Sequence, residues 1–148
     1  MKSVPEILAQ EGYYVRTTVG VSMRPMLRTR RDRVIIRPLD GRPLKKWDLP
    51  LYRVPDGRYI LHRVIGKKDG NYIIRGDNTY RKETVPPEWI VGVMTEFYRG
   101  DKHVLATDKG YRFYAAFWQT IYPIRLPFHL AHIALSKIKN KIIKPKKD

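Results

Sequence analysis

The chain has 148 residues and no cysteine, and its 30 Lys and Arg against 14 Asp and Glu give a net charge of +16. This length allows one domain of ordinary size, and the missing cysteine excludes disulfide bonds, thiolate catalysis and zinc–cysteine sites. The excess of cations indicates an anionic partner, either nucleic acid or an acidic membrane surface.

The first two thirds of the chain have the pattern of short strands separated by turns. A short helix over residues 4–11 is expected to precede apolar, β-branched segments bounded by Gly and Pro. Residues 55–58 have strong turn composition and predict a hairpin, and residues 66–71 predict a further turn. The predicted strands cover residues 13–19, 34–36, 51–54, 59–65, 72–75 and 89–98. Such spacing predicts a mostly β, twisted or barrel-like domain over residues 1–107.

Residues 108–148 differ in character and predict a basic, aromatic, helical appendage. Residues 111–122 have helical spacing, Pro123 and Pro127 are expected to interrupt the helix, and residues 128–143 can resume it. The apolar residues of this second helix have a spacing that suits one helix face, and they are Leu130, Ile133, Ala134, Ile138 and Ile142. Lysines crowd the end of the chain, and they are Lys137, Lys139, Lys141, Lys144, Lys146 and Lys147. Two interpretations stay open: a helix pair packed on the sheet with a solvated tail, and an amphipathic segment that contacts an anionic membrane surface.

The N-terminus carries charges within its first six residues, so no signal peptide is predicted. No run of about 18 apolar residues occurs, so no conventional spanning helix is indicated either. We therefore expect a cytoplasmic or peripherally membrane-associated protein.

A serine, a histidine and an aspartate stand in positions that suit hydrolytic chemistry. Pro25 keeps the residue before it out of the helical region, and Gly20 permits close backbone approach, so Ser22 is expected on an extended or tightly turned segment. A serine hydroxyl needs a base, and His62 titrates near neutrality, while Asp77 could fix the imidazole tautomer. Taken singly, each has a structural explanation: a turn residue, a strand histidine and an Asx turn.

Together these residues fall within three motifs, Ser-Met-Arg-Pro-Met-Leu at 22–27, His-Arg-Val-Ile at 62–65 and Gly-Asp-Asn at 76–78. Their order and spacing resemble the catalytic boxes of type I signal peptidases. The likeness is to the Ser-His branch typical of the endoplasmic reticulum, archaea and spore-forming bacteria, and it covers roughly residues 17–98. It implies the twisted β-barrel-type catalytic domain of the signal peptidase and LexA superfamily.

The resemblance also implies an activity, a serine endopeptidase that cuts after small residues in an extended leader or signal-type peptide. Ser22 would be the nucleophile, His62 the general base and Asp77 the supporting acid. Backbone around Ser22 and Gly20 would form the oxyanion hole, where many bacterial relatives have a hydroxyl residue at the position of Gly20. Members of the Ser-His branch carry a further aspartate after Gly-Asp-Asn, and Glu83 is the nearest acid that could replace it.

An extended substrate is expected to add as a β-strand beside the catalytic strands. The residues that would meet it are Val21, Met23 and Leu61. No cofactor and no metal are expected: His129 and His132 are three residues apart, but neither has an acidic neighbour.

Three other interpretations remain. A LexA-type repressor protease is disfavoured, because that group uses a lysine base where this chain has His62. A nucleic-acid-binding β-barrel would account for the net charge and for the interleaved tyrosines and arginines, and is less favoured but not excluded. A catalytically inactive relative, or another basic β-domain that binds nucleic acid or an anionic membrane, is the alternative to an enzyme.

Overall fold

The structure, a computed structural model, describes residues 1–143. Helix α1 (Val4–Glu11) comes first, and helices α2 (Lys109–Thr120) and α3 (Tyr122–Ile143) come last. Between them lie the strands β1 (Tyr14–Thr17), β2 (Arg33–Arg37), β3 (Pro50–Arg53), β4 (Tyr59–Leu61), β5 (Arg63–Lys68), β6 (Asn71–Arg75), β7 (Glu83–Val85), β8 (Ile90–Arg99) and β9 (Lys102–Leu105). Most predicted strands are therefore present, with shifted ends.

The strands form two antiparallel sheets. In the larger one the order is β1-β2-β8-β3-β4, with β9 also paired to β8, and this sheet curls into a half-barrel. The smaller sheet has the order β5-β6-β7. The predicted hairpin is formed by β3 and β4, and a second hairpin is formed by β5 and β6, which is turned by Asp69 and Gly70. The prediction of a mostly β protein with helices at its C-terminal end is confirmed.

The predicted strand over residues 59–65 is interrupted at His62. β4 ends at Leu61 and β5 begins at Arg63, and the two strands belong to different sheets. Arg63 and Val64 are both buried, although consecutive residues of one flat strand face opposite sides. The chain thus crosses between the sheets at His62. The short strands β7 and β9 were not predicted.

Two apolar clusters form the core. One joins α1, the segment after β1 and the half-barrel, and it includes Leu8, Met26 and Ile36 together with Tyr111 of α2. The other lies between the sheets, around Tyr52 and the apolar side chains of β5 and β6. Because Tyr111 of α2 lies in the first cluster, α2 packs as part of the same core as the strands before it.

The two C-terminal helices meet at Ile121, close to the predicted interruption at Pro123, whereas the predicted interruption at Pro127 is wrong. Pro123 lies in the first turn of α3, where backbone N–H groups lack intrahelical partners in any case. Pro127 lies inside α3, and the helix continues through it. Within residues 1–143, no helix combines the length and the apolarity needed to cross a bilayer. Lys144, Lys146 and Lys147 of the predicted tail lie outside the described residues.

Candidate active site

The turn that carries Ser22 is tied to the loop that follows β6. The backbone N–H of Asn78 donates to the Ser22 carbonyl at 2.7 Å, and its side-chain Nδ2 donates to the Val21 carbonyl at 3.1 Å. Within the turn, Arg24 N–H donates to the same Val21 carbonyl at 3.1 Å. Asn78 of the Gly-Asp-Asn motif therefore fixes the position of the serine segment.

Gly76 is the point at which all three sequence motifs meet. A Cβ atom placed on Gly76 would lie 2.8 Å from the Ser22 carbonyl oxygen and 3.1 Å from Cδ2 of His62. Both distances are shorter than van der Waals contact, so only glycine fits here without displacing the serine segment or the imidazole. The structure thus places the Ser22 backbone, the His62 ring and residues 76–78 beside one another.

The imidazole of His62 is 10% exposed and faces a carboxylate and a phenol. Its Nδ1 lies 3.4 Å from Oε2 of Glu83 and 3.4 Å from the Tyr52 hydroxyl. The Tyr52 hydroxyl also donates a hydrogen bond to the same Glu83 oxygen. Glu83 begins β7, where it pairs with Ile74 of β6, so an unpredicted strand places this acid beside His62.

The contacts around Glu83 keep it ionised. Hydrogen bonding from His62 lowers the pKa of Glu83, and the Tyr52 hydroxyl lowers it further, against the opposing effect of partial burial. Burial raises the pKa of Tyr52, and its hydrogen bond to Glu83 raises it again. At neutral pH, Glu83 is therefore an anion and Tyr52 a neutral donor. Sequence reasoning missed Tyr52, whose only signal was a tyrosine at an inward position of a predicted strand.

Asp77 has other partners, which corrects its predicted role as the acid behind His62. Its carboxylate is 1% exposed and accepts two hydrogen bonds from the fully buried Arg63, at 2.7 Å from Nε and 2.8 Å from Nη2. It also accepts from the Tyr114 hydroxyl at 3.0 Å and from Nε2 of Gln119 at 2.8 Å. β6 ends at Arg75, and the following turn directs this carboxylate toward Arg63 and α2. Asp77 is therefore part of a buried ion pair.

The C-terminal helices support the same loop through its backbone. The Asp77 carbonyl accepts from Nε1 of Trp118 at 2.9 Å and from Nη2 of Arg125 at 2.9 Å. Gln119 also accepts a hydrogen bond from Arg75 at 2.7 Å. Helices α2 and α3 therefore hold the Gly-Asp-Asn loop through contacts separate from those that Asn78 makes to the serine segment. Sequence reasoning missed these contacts, because side chains more than 40 residues away in sequence make them.

Ser22, His62 and Glu83 line one cavity of about 400 Å³. β1 and β4 are the first and last strands in the order β1-β2-β8-β3-β4 of the half-barrel. Both line the cavity, β1 through Arg16 and β4 through Tyr59 and Leu61. Of the three residues predicted to contact the substrate, two line this cavity and one does not. Met23 and Leu61 line the cavity, with Met23 otherwise buried in the core, whereas Val21 is 50% exposed.

The predicted oxyanion segment also borders this cavity. Gly20 has φ of +91°, a conformation that favours glycine, and its carbonyl accepts a hydrogen bond from the Thr29 hydroxyl. Within residues 1–143, the backbone N–H groups of Gly20 and Ser22 have no protein acceptor. They are therefore available to a bound group. No cluster of three or more His, Asp or Glu residues suited to a metal occurs in this part of the chain.

Comparisons with known proteins do not identify a family. No family model matches the chain, and no curated protein matches its sequence significantly.

Proposed function

We propose that this protein is a serine endopeptidase of the signal-peptidase type, with Ser22 as nucleophile, His62 as general base and Glu83 as the acid that orients His62. The observation that carries the proposal is the meeting of the serine segment and the His62 ring at Gly76, beside a cavity that Glu83 also lines. A serine, a base and an orienting acid are the three groups that acyl transfer to serine requires.

The position of Glu83 beside Nδ1 indicates which nitrogen of the imidazole carries the proton. Because Nδ1 faces Glu83 and Tyr52, it carries the proton that the carboxylate accepts, and Nε2 is left to take the proton of the Ser22 hydroxyl. Ser22 Oγ then attacks the substrate carbonyl, and the Nε2 proton passes to the leaving amine. A water deprotonated by His62 releases the acyl group.

The free N–H groups of the serine segment would stabilise the oxyanion in both tetrahedral intermediates. Backbone N–H groups aimed at the developing charge provide much of the rate enhancement of such enzymes. Here the Ser22 N–H is the first donor, and Gly20 shapes the backbone next to it.

The proposed substrate is an extended peptide with small side chains near the cut. β1 and β4 are end strands of the half-barrel path, and both border the cavity, so a peptide strand could add to their backbone edges. Beside His62 the cavity has apolar walls, which include Leu27, Ile36 and Leu51. This supports a leader or signal-type segment as the substrate class.

The test is a cleavage assay on a peptide library that carries small residues at varied positions, with mass spectrometry as the readout. Wild type is expected to cut, and Ser22→Ala and His62→Ala are each expected to lose at least about 1,000-fold in rate. Ser136→Ala changes an exposed serine of α3 and is the matched control with unchanged cleavage.

If wild type and Ser22→Ala give the same product spectrum, the catalytic proposal fails. A non-enzymatic basic β-domain, which binds nucleic acid or an anionic membrane, would then be the better account of the +16 charge.

A further inference from the structure

Helices α2 and α3 each expose a row of apolar side chains, and the two rows together are called the stripe. Within each helix the members follow one another at intervals of four or seven residues, which keeps them on one side of successive turns of that helix. They are between 48% and 76% exposed, and the stripe consists of Phe113, Phe117, Ile124, Phe128, Leu135 and Ile142. The first two rings stack on each other at 5.7 Å, so this part of the stripe is already ordered.

The opposite side of α2 fixes the stripe on the protein. Tyr111 and Ala115 are buried in the core, and Gln119 bonds to Arg75 and Asp77. At the start of α3, Arg125 bonds to the Asp77 carbonyl. One side of these helices therefore packs against the rest of the domain, and no described residue packs over the stripe.

The charge of the same helices is of one sign. Residues 109–143 contain Lys and Arg but no Asp or Glu. Lys137, Lys139 and Lys141 are all exposed on the last turns of α3; at about 100° per residue Lys139 lies beside the stripe, whereas Lys137 and Lys141 lie on other sides of the same turns. An apolar stripe with basic neighbours and no acids matches an anionic lipid surface, where the apolar groups enter the acyl region and the cations meet the headgroups.

We propose that the stripe and its lysines form a docking surface for an anionic membrane. A second copy of the chain is a poorer occupant, because two such helices would bring like charges together with no acid to pair them. The surface is distinct from the cavity that holds Ser22, and docking does not depend on the proposed peptidase activity.

The experiment measures sedimentation of the full-length protein with vesicles of phosphatidylcholine containing phosphatidylglycerol, and with vesicles of phosphatidylcholine alone. Wild type is expected to bind the anionic vesicles, to bind the neutral ones more weakly, and to release as salt rises. Leu135→Ser removes a stripe residue, whereas Leu130→Ser removes the same exposed side chain from another side of α3. The first is expected to weaken binding several-fold and the second to leave it unchanged.

Two further variants test both parts of the surface. Phe128→Ser/Leu135→Ser/Ile142→Ser and Lys137→Glu/Lys139→Glu/Lys141→Glu are each expected to lower binding at least about 100-fold. Circular dichroism of every variant is the control for retention of the fold. The proposal is overturned if wild type does not bind anionic vesicles, or if Leu135→Ser and Leu130→Ser bind alike. It is also overturned if the stripe variants change the mass of an oligomer in solution and leave vesicle binding unchanged.

Discussion

The sequence offered two carboxylates as partners of His62, Asp77 and Glu83, and their contacts in the structure differ. Glu83 approaches Nδ1 of the imidazole and is shared with the Tyr52 hydroxyl. Asp77 is enclosed by Arg63, Tyr114 and Gln119. An ionised carboxylate has about four acceptor sites, and the four hydrogen bonds from these three side chains leave no site of Asp77 for an imidazole. The geometry therefore favours Glu83 as the group that stabilises a protonated His62.

Replacement of Glu83 tests this assignment. Glu83→Gln keeps the size of the side chain but removes the negative charge beside Nδ1, so the protonated imidazole formed during attack loses its stabilising partner. We expect kcat/KM to fall about 100-fold or more. The Glu83 side chain is 39% exposed, so the thermal midpoint should change little.

Glu88→Gln, which changes an exposed acid a few residues further along, is the control and should keep full activity. Equal activity of Glu83→Gln and Glu88→Gln would remove Glu83 from the mechanism. Both variants are measured on the same peptide, with initial rates at several concentrations so that kcat and KM are separated.

Replacement of Asp77 should chiefly change stability. Asp77→Asn leaves the guanidinium of Arg63 charged, fully buried and without a counter-ion. Loss of one partner of a buried ion pair typically costs about 3–5 kcal/mol. The free energy of unfolding, measured with urea, should fall by that amount, whereas Asp101→Asn in the exposed turn after β8 should change it by less than about 0.5 kcal/mol. A loss for Asp77→Asn as small as the control would contradict the role of the pair.

At the scale of elements, the site depends on where strands end. His62 occupies the crossing between β4 and β5, and the Gly-Asp-Asn loop follows β6. β7 then returns beside β6 and carries Glu83 back toward His62. The loop is closed against the serine segment by Asn78 and has no room for a side chain at Gly76. Close contact between loop and turn therefore holds the Ser22 segment beside the His62 ring.

A methyl group at Gly76 should disturb this contact. Gly76→Ala would place Cβ 2.8 Å from the Ser22 carbonyl and 3.1 Å from the His62 ring, so one of them must move. We expect about 1–3 kcal/mol lower stability and a loss of cleavage of at least about 100-fold, because small displacements of reacting groups are costly. Gly66→Ala has open space around its Cβ and is the matched control. Wild-type cleavage by Gly76→Ala would show that the three motifs need not meet closely.

At the scale of the molecule, the C-terminal helices belong to the folded core. Tyr111 packs in the main apolar cluster, and Arg63 donates to its hydroxyl at 3.0 Å. Gln119 and Trp118 bond to Asp77 from α2. In contrast, every residue of α3 from 134 to 143 is exposed. The helical segment therefore has an inner part that supports the Gly-Asp-Asn loop and an outer part that does not.

Two truncations separate these parts. A chain that ends at Asp108 loses α2 and α3, and uncovers the Arg63–Asp77 pair, so its free energy of unfolding should fall by more than about 5 kcal/mol. A chain that ends at Ile133 keeps the buried contacts and should remain within about 1 kcal/mol of wild type. Both are followed by urea unfolding and circular dichroism. A chain ending at Asp108 with wild-type stability would mean that α2 is an independent appendage.

The sequence by itself determined the β-rich pattern, most strand positions and the three motifs that meet at Gly76, because strand periodicity, turn residues and motif spacing are local properties. It did not determine the break at His62, the strand β7, or the continuation of α3 through Pro127. It assigned Asp77 to His62 and gave Glu83 only as an auxiliary acid. The partners of each acid depend on the turn after β6, on the strand β7 and on buried groups from α2. Only the tertiary structure showed that Arg63 and Gln119 contact Asp77 whereas Tyr52 and His62 contact Glu83, because these partners are distant in sequence.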